Sequence, residues 1–283
     1  MSEEKFAPGV RLLGQPGMPL VSMLQFLYLT GPYATVAEVI AELPEPIETD
    51  RAVYEEPRAL LTAYLDILTG LEPLRGGQAP AATVVDEGGR PVDLISGGTA
   101  LIQQQVLTRE LERINSLLCE PCGCTLCCVG PDGEMAQEFF EIPLAAEEIA
   151  LFPVPRHDSE ASRGRGATDA DELQLNGVPF YRLAGPQLVR WQSGWSLILP
   201  RKASCPGLGP AGQCAVYAVR PQVCRRPQIF PYVVEPLPET KSYRIRNALL
   251  AIADCPYVRD LRDEIAQYAA ACGLNLVLTR NKA

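Results

Sequence analysis

Apolar residues recur at helical spacing through much of the first hundred positions. Between Tyr54 and Gly70, the residues Leu60, Leu61, Tyr64, Leu65 and Leu68 fall on one face. Pro57 lies in the first turn of that segment and Gly70 just past its end, which predicts one well-punctuated helix. Residues 19–30 and 34–43 predict an earlier, weaker pair. Residues 70–98 hold seven glycines and three prolines, so they read as a loop or linker with a hairpin around Gly88-Gly89-Arg90-Pro91. Thr99 can cap the next helix, whose stripe Leu107, Leu111, Ile114 and Leu118 steps by four, three and four and runs straight into Cys119.

Downstream the pattern shortens. Residues 138–144 (EFFEIPL) predict a strand and 145–152 (AAEEIALF) a helix, with Glu147 and Glu148 on its solvated face. Residues 157–172 are polar and rich in small residues, a mobile surface insertion. Residues 178–183 (VPFYRL) and 195–200 (WSLILP) are strand-like, with Trp191 and Trp195 as core or strand residues. RIRNALLAIA (244–253) fits either element. Pro256–Cys272 predicts a final helix with Val258, Leu261, Ile265 and Tyr268 on one face and Gly273 after it. The pattern as a whole predicts an α+β fold. A helical amino-terminal extension (1–98) would precede a compact domain (99–283) of short strands and helices organised around cysteines. That extension offers a docking surface for a protein partner.

Composition sharpens the picture. At 283 residues and 47% apolar the chain can bury a substantial core. A formal charge of −9 argues against general affinity for nucleic acid or an anionic membrane. The start, MSEEKF, is acidic where a secretory signal needs a basic one, and the apolar run Pro19–Leu29 is too short to span a bilayer. A soluble, cytoplasmic protein is expected. In that compartment thiols stay reduced, so the ten cysteines read as metal ligands or redox centres rather than a disulfide framework.

Those cysteines fall in two groups. Residues 119–128 read CEPCGCTLCC, five cysteines in ten positions. Cys119 and Cys122 have the short spacing that lets two sulfurs turn toward one centre, and Pro121 and Gly123 favour a tight loop there. The adjacent Cys127 and Cys128 have Cα atoms about 3.8 Å apart, below the roughly 4.4 Å minimum usual for a disulfide, so two thiolates aimed at metal is the easier arrangement. The second group is Cys205, Cys214 and Cys224, with Cys255 before Pro256.

These residues resemble the cysteine-cluster (YkgJ-type) family of zinc- or iron-chelating domains. Its signature is Cys-x-x-Cys-x-x-Cys-Cys, then Cys-Pro, Cys-x-(Ile/Val)-Tyr-x-x-Arg-Pro-x-x-Cys-Arg and a late Cys-Pro. Here Cys119, Cys122, Cys127 and Cys128 are followed by Cys205-Pro206, Cys214, Tyr217, Arg220-Pro221, Cys224-Arg225 and Cys255-Pro256. The first motif departs from the pattern: four residues separate Cys122 from Cys127, and Cys124 falls in the gap, either replacing Cys122 or standing spare. The resemblance covers roughly residues 115–260. It implies a metal or iron–sulfur protein of about eight cysteine ligands: Cys119, Cys122, Cys127, Cys128, Cys205, Cys214, Cys224 and Cys255. Some relatives, such as flagellin lysine methylases, are enzymes.

Charge supplies an independent argument. Between Leu173 and Val234 there is no Asp or Glu, while Arg182, Arg190, Arg201, Lys202, Arg220, Arg225 and Arg226 give +7 against −16 over the rest of the chain. Metal-bound thiolates leave negative charge that needs compensation when buried. Arg220, Arg225 and Arg226 are therefore expected around the cofactor, hydrogen-bonding toward its sulfurs. The alternative is a basic face for an acidic partner.

Other signals are bland. Cys272 reads as a buried, inert thiol, and His157, the only histidine, as solvated, which disfavours histidine-based catalysis. No nucleotide-binding glycine loop appears. The irregular cysteine spacing and the basic, acid-free setting favour an iron–sulfur cluster over Zn2+. The expectation is a metal- or cluster-binding protein. A group-transfer enzyme with a structural cluster, or a structural zinc module, are the alternatives.

Overall fold

The computed structural model describes residues 2–132, 135–167, 173–175, 177–237 and 240–279. Its helices are α1 (Ser2–Gly14), α2 (Met18–Thr30), α3 (Val36–Glu42), α4 (Pro57–Thr62), α5 (Leu65–Leu68), α6 (Leu71–Arg75), α7 (Leu94–Cys122), α8 (Glu160–Arg163), α9 (Pro256–Asp260) and α10 (Arg262–Ala271). Its strands are β1 (Ile47–Glu48), β2 (Val53–Tyr54), β3 (Val84–Val85), β4 (Phe139–Leu144), β5 (Arg156–His157), β6 (Gln174–Leu175), β7 (Val178–Pro179), β8 (Gln187–Trp191), β9 (Gly194–Pro200), β10 (Ile229–Leu237), β11 (Ser242–Ile252) and β12 (Asn275–Thr279). Helices and strands, at 41% and 23%, make the protein α+β, as its pattern predicts.

The chain divides into two compact units. Among the described residues, the first comprises 2–118, 228–253 and 257–279, and the second those of 119–227 and 254–256. Residues 1–98 therefore share a unit with most of α7, with β10–β12 and with the final helices, and the division falls elsewhere than after residue 98. The physical reason is α7, one continuous helix from Leu94 to Cys122, which leaves no linker at that point.

In the first unit, β11 pairs antiparallel with β10 and parallel with β12 and β3. RIRNALLAIA is thus strand, buried at Leu249 and Ala251. The β10–β11 register shifts between Tyr232 and Val234, and Asn247 opposite it takes φ 47°, a bulge that leaves backbone groups unpaired. Gln104 of α7 bonds that stretch: Val233 N donates to its Oε1 at 2.8 Å and its Nε2 donates to Pro231 O at 3.0 Å. Asn115, further along α7, donates to Ile229 O at 2.6 Å and accepts from the Tyr257 hydroxyl at 2.7 Å. Side-chain amides thereby bind the helix to an edge strand, satisfying groups that would otherwise be orphaned.

Three helix expectations change in this unit. The segment Pro256–Cys272 is divided at Leu261 into α9 and α10. The segment 54–70 is not one helix: Tyr64 N bonds Leu61 O at 3.0 Å, a tight turn that ends α4 before α5 begins. Helix α7 starts before Thr99. Asp93 caps it by accepting from Ser96 N at 2.9 Å, whereas the Thr99 hydroxyl donates back to Ile95 O. The predicted pair at 19–30 and 34–43 is present as α2 and α3, the latter with a full capping box at Thr35 and Glu38. A turn at 86–90 is closed by Asp86 N on Arg90 O at 2.8 Å.

The second unit is built on a sheet of order β4–β9–β8–β5. β9 is its centre and is apolar on both faces. Ile198 packs with Phe180, Val189 and Trp191 on one side, while Leu197 and Leu199 pack with Ile142, Leu144, Phe152 and Leu188 on the other. This period-two division explains the apolar run Leu197–Pro200 within WSLILP. The segment 145–152 forms a 3-10 helix at Ala146–Leu151, and VPFYRL forms only the two-residue β7 before another 3-10 turn. Of the predicted surface insertion, residues 157–167 carry His157 in β5 and helix α8. Residues 168–172 lie outside the described residues.

Candidate metal centre

Nine of the ten cysteines belong to the second unit; Cys272 belongs to the first. None of the ten forms a disulfide. The two sequence groups meet through main chain. As the chain leaves β9 it runs antiparallel to the end of the 119–128 loop. Cys205 N donates to Cys128 O at 2.7 Å, Gly130 N to Ala203 O at 2.9 Å and Lys202 N to Pro131 O at 3.1 Å. This approach depends on glycine, because a Cβ at residue 130 would lie 1.9 Å from Pro200 O.

Each cysteine is presented by a short, tight element. Cys119 and Cys122 occupy the last turn of α7, and Gly123, at φ 66°, turns the chain out of the helix toward Cys124. Cys128 N closes a turn on Thr125 O at 2.8 Å. After Cys205, Gly209–Gly212 forms a turn with Gly212 at φ 82°, and Leu208 pairs with Cys214 as an isolated bridge. The 3-10 turns Tyr217–Val219 and Gln222–Arg225 carry the chain to Cys224. Cys205 and Cys224 pack against the Leu197/Leu199 face of the sheet, so a hydrophobic core holds both from behind.

Two arrangements of sulfur result. Cys122, Cys124 and the fully buried Cys255 have Sγ atoms within 4.8 Å of one another, close enough to hold one metal ion. Separately, a cavity of about 130 Å3 is walled by Cys119, Cys124, Cys128 and Cys214 together with Tyr217 and Gly123. Cys124, an alternative or a spare in the sequence, thus lies in both.

The electrostatics follow this crowding. Hydrogen bonding from the Cys255 thiol, with smaller help from the Leu126 amide and Cys122, pulls Cys124 down to about 6 against the effect of burial. Burial, reinforced by Cys127 and Cys124, pushes Cys119 up to about 12, and burial with Cys127 beside it does the same to Cys224. Cys127 is also raised, first by its hydrogen bond to Cys128 and then by burial. The raised thiols Cys119, Cys127 and Cys224 hold their protons until something cationic replaces them, whereas Cys124 is shifted toward thiolate.

The arginines separate. Arg220 is buried, stacks on Tyr217 at 3.8 Å and donates from Nε to Cys224 O at 3.0 Å. Its charge lowers the pKa of both Cys119 and Cys224. Arg225 and Arg226 are exposed; Arg225 donates to Arg220 O at 3.3 Å. Other cations of the acid-free stretch are engaged elsewhere. Arg182 and Arg190 stack over Tyr181 and Trp195, and Arg201 pairs with Glu138. Glu148 is more than solvated: its carboxylate accepts from Ala145 N at 2.9 Å and Gln222 N at 2.8 Å, tying the 3-10 helix to the turn that carries Cys224. No sequence signal distinguishes it from Glu147. His157 is half-buried in β5, and Trp191 is buried in the core.

The chain matches no family model, no curated protein and no solved structure. No helix among the described residues is long and apolar enough to cross a membrane.

Proposed function

We propose that this chain is a cytoplasmic metal-binding protein whose second unit holds an iron–sulfur cluster through thiolates of both cysteine segments. The cluster ligands are drawn from Cys119, Cys127, Cys128, Cys205, Cys214 and Cys224, six of the eight positions implied by the resemblance to the zinc- or iron-chelating cysteine-cluster family. The observation that carries this reading is the backbone pairing of 128–131 with 202–205, beside a cavity to which Cys119 and Cys128 of one segment and Cys214 of the other contribute walls. The donor set is entirely sulfur, which suits soft metals. The buried Arg220 supports an anionic cofactor, because its guanidinium offsets negative charge that burial would otherwise disfavour.

The test is anaerobic purification of the full chain with analysis of iron, zinc and acid-labile sulfide. Brown protein containing iron and sulfide is expected. Colourless protein with zinc alone would replace the cluster by a structural zinc site, and protein with neither metal nor sulfide would end the proposal.

A further inference from the structure

Resting on that reading, we infer that Cys122, Cys124 and Cys255 form a second, mononuclear zinc site, distinct from the cluster, with three protein thiolates and an exchangeable fourth ligand. The three Sγ atoms lie within 4.8 Å of one another. A zinc–sulfur bond of about 2.3 Å places sulfurs sharing one tetrahedral ion roughly 3.8 Å apart, so the group needs to close by about 1 Å at most. Each iron of a 2Fe–2S core takes two thiolates and each iron of a 4Fe–4S core takes one, so no iron of either core gathers three protein sulfurs. The separation therefore favours a single ion.

The sequence spacing is consistent with this division. Cys124 fills the four-residue gap between Cys122 and Cys127, and the left-handed turn at Gly123 brings it back beside Cys122. Cys255, 0% exposed, reaches the same point from a segment more than a hundred residues later. Removing these three leaves Cys119, Cys127, Cys128, Cys205, Cys214 and Cys224 for the cluster. Among the described residues no fourth cysteine, histidine or carboxylate joins the three at that distance. Zinc bound by three protein ligands completes its shell with water or another small ligand. Binding releases the thiol protons to solvent and leaves three thiolates on one dication.

The test uses the full chain purified without air, with Zn2+ and Co2+ as probes. Wild type should take up roughly one ion beyond its iron, and a small added thiol should change the visible spectrum of the Co2+ form. Cys124→Ser and Cys255→Ser should each weaken that uptake at least tenfold while leaving iron, sulfide and the cluster absorbance intact. Retained cluster in these variants also shows that they fold. Loss of iron and sulfide together with the zinc would put all nine cysteines in one centre and overturn the inference, as would undiminished zinc uptake. A Co2+ spectrum indifferent to added thiol would overturn the open fourth position. Wild type that carries its cluster but binds no further ion would refute this site while leaving the proposed function standing. Wild type that takes up zinc without iron would do the reverse.

Discussion

Gly130→Ala tests the contact on which the candidate centre depends. The added Cβ would lie 1.9 Å from Pro200 O and 2.8 Å from Leu199 O. Both are backbone atoms, so no side chain can swing away; about 1 Å of main-chain movement is needed to restore a contact that real Cβ atoms show. That movement acts on the segment where Cys205 N, Gly130 N and Lys202 N bond across the two strands. Insertion into a packed site costs roughly 1–3 kcal/mol, and three hydrogen bonds contribute roughly 0.5–1.5 kcal/mol each. Together the loss is roughly 2.5–7.5 kcal/mol, a large part of the stability of an ordinary domain. The melting transition of the second unit should fall by more than about 10 °C, and the metal content of the purified protein should fall with it. Gly164→Ala is the control. Its Cβ would meet only Glu160 O at 3.6 Å, and its effect should stay within about 0.5 kcal/mol. Calorimetry and elemental analysis of the two variants decide the matter. Gly130→Ala with wild-type melting and full metal would refute the close pairing of 128–131 with 202–205.

Three further outcomes are expected. Arg220→Ala should weaken metal retention roughly 10- to 100-fold in chelator competition, and Arg220→Lys should restore it only in part, because lysine cannot reproduce both the stack on Tyr217 and the bond to Cys224 O. Cys205→Ser should abolish iron and sulfide loading, whereas Cys272→Ser, in the other unit, should leave it intact by the same elemental analysis. Glu110, wholly buried, accepts from Gly17 N and the Tyr268 hydroxyl at 2.8 Å each, and burial raises its carboxyl to about 7 from an ordinary 4.5. Its folded form therefore holds a proton that the unfolded chain has released. Stability falls as pH rises between about 4.5 and 7, by up to about 3 kcal/mol, and the full cost is present above that window. Glu110→Gln should flatten this part of the profile in urea titrations at pH 5 and pH 8; an unchanged slope would refute the assignment.

Much of the secondary structure follows from local chemistry. The capping box at Thr35, the apolar stripe of α7 and the both-face burial of WSLILP are properties of neighbouring residues, and periodicity reports them directly. Where local patterns misled, tertiary contacts had intervened. RIRNALLAIA becomes a strand because β10, β12 and β3 flank it, and 54–70 breaks at Tyr64 where the chain tightens into an i to i+3 turn. The cysteine clusters, the glycine that turns the chain at residue 123 and the acid-free stretch are likewise plain in one dimension. Sequence alone therefore supplied the expectation of all-thiol ligation with cationic compensation. The fold decided which thiols meet. Cys124 lies within 4.8 Å of Cys122, Cys255 arrives beside both from a distant segment, and Arg220 alone of the three arginines is buried beside the sulfurs. Spacing along a chain fixes only local reach. Distances between remote segments are set by backbone pairing and by the core against which Cys205 and Cys224 pack.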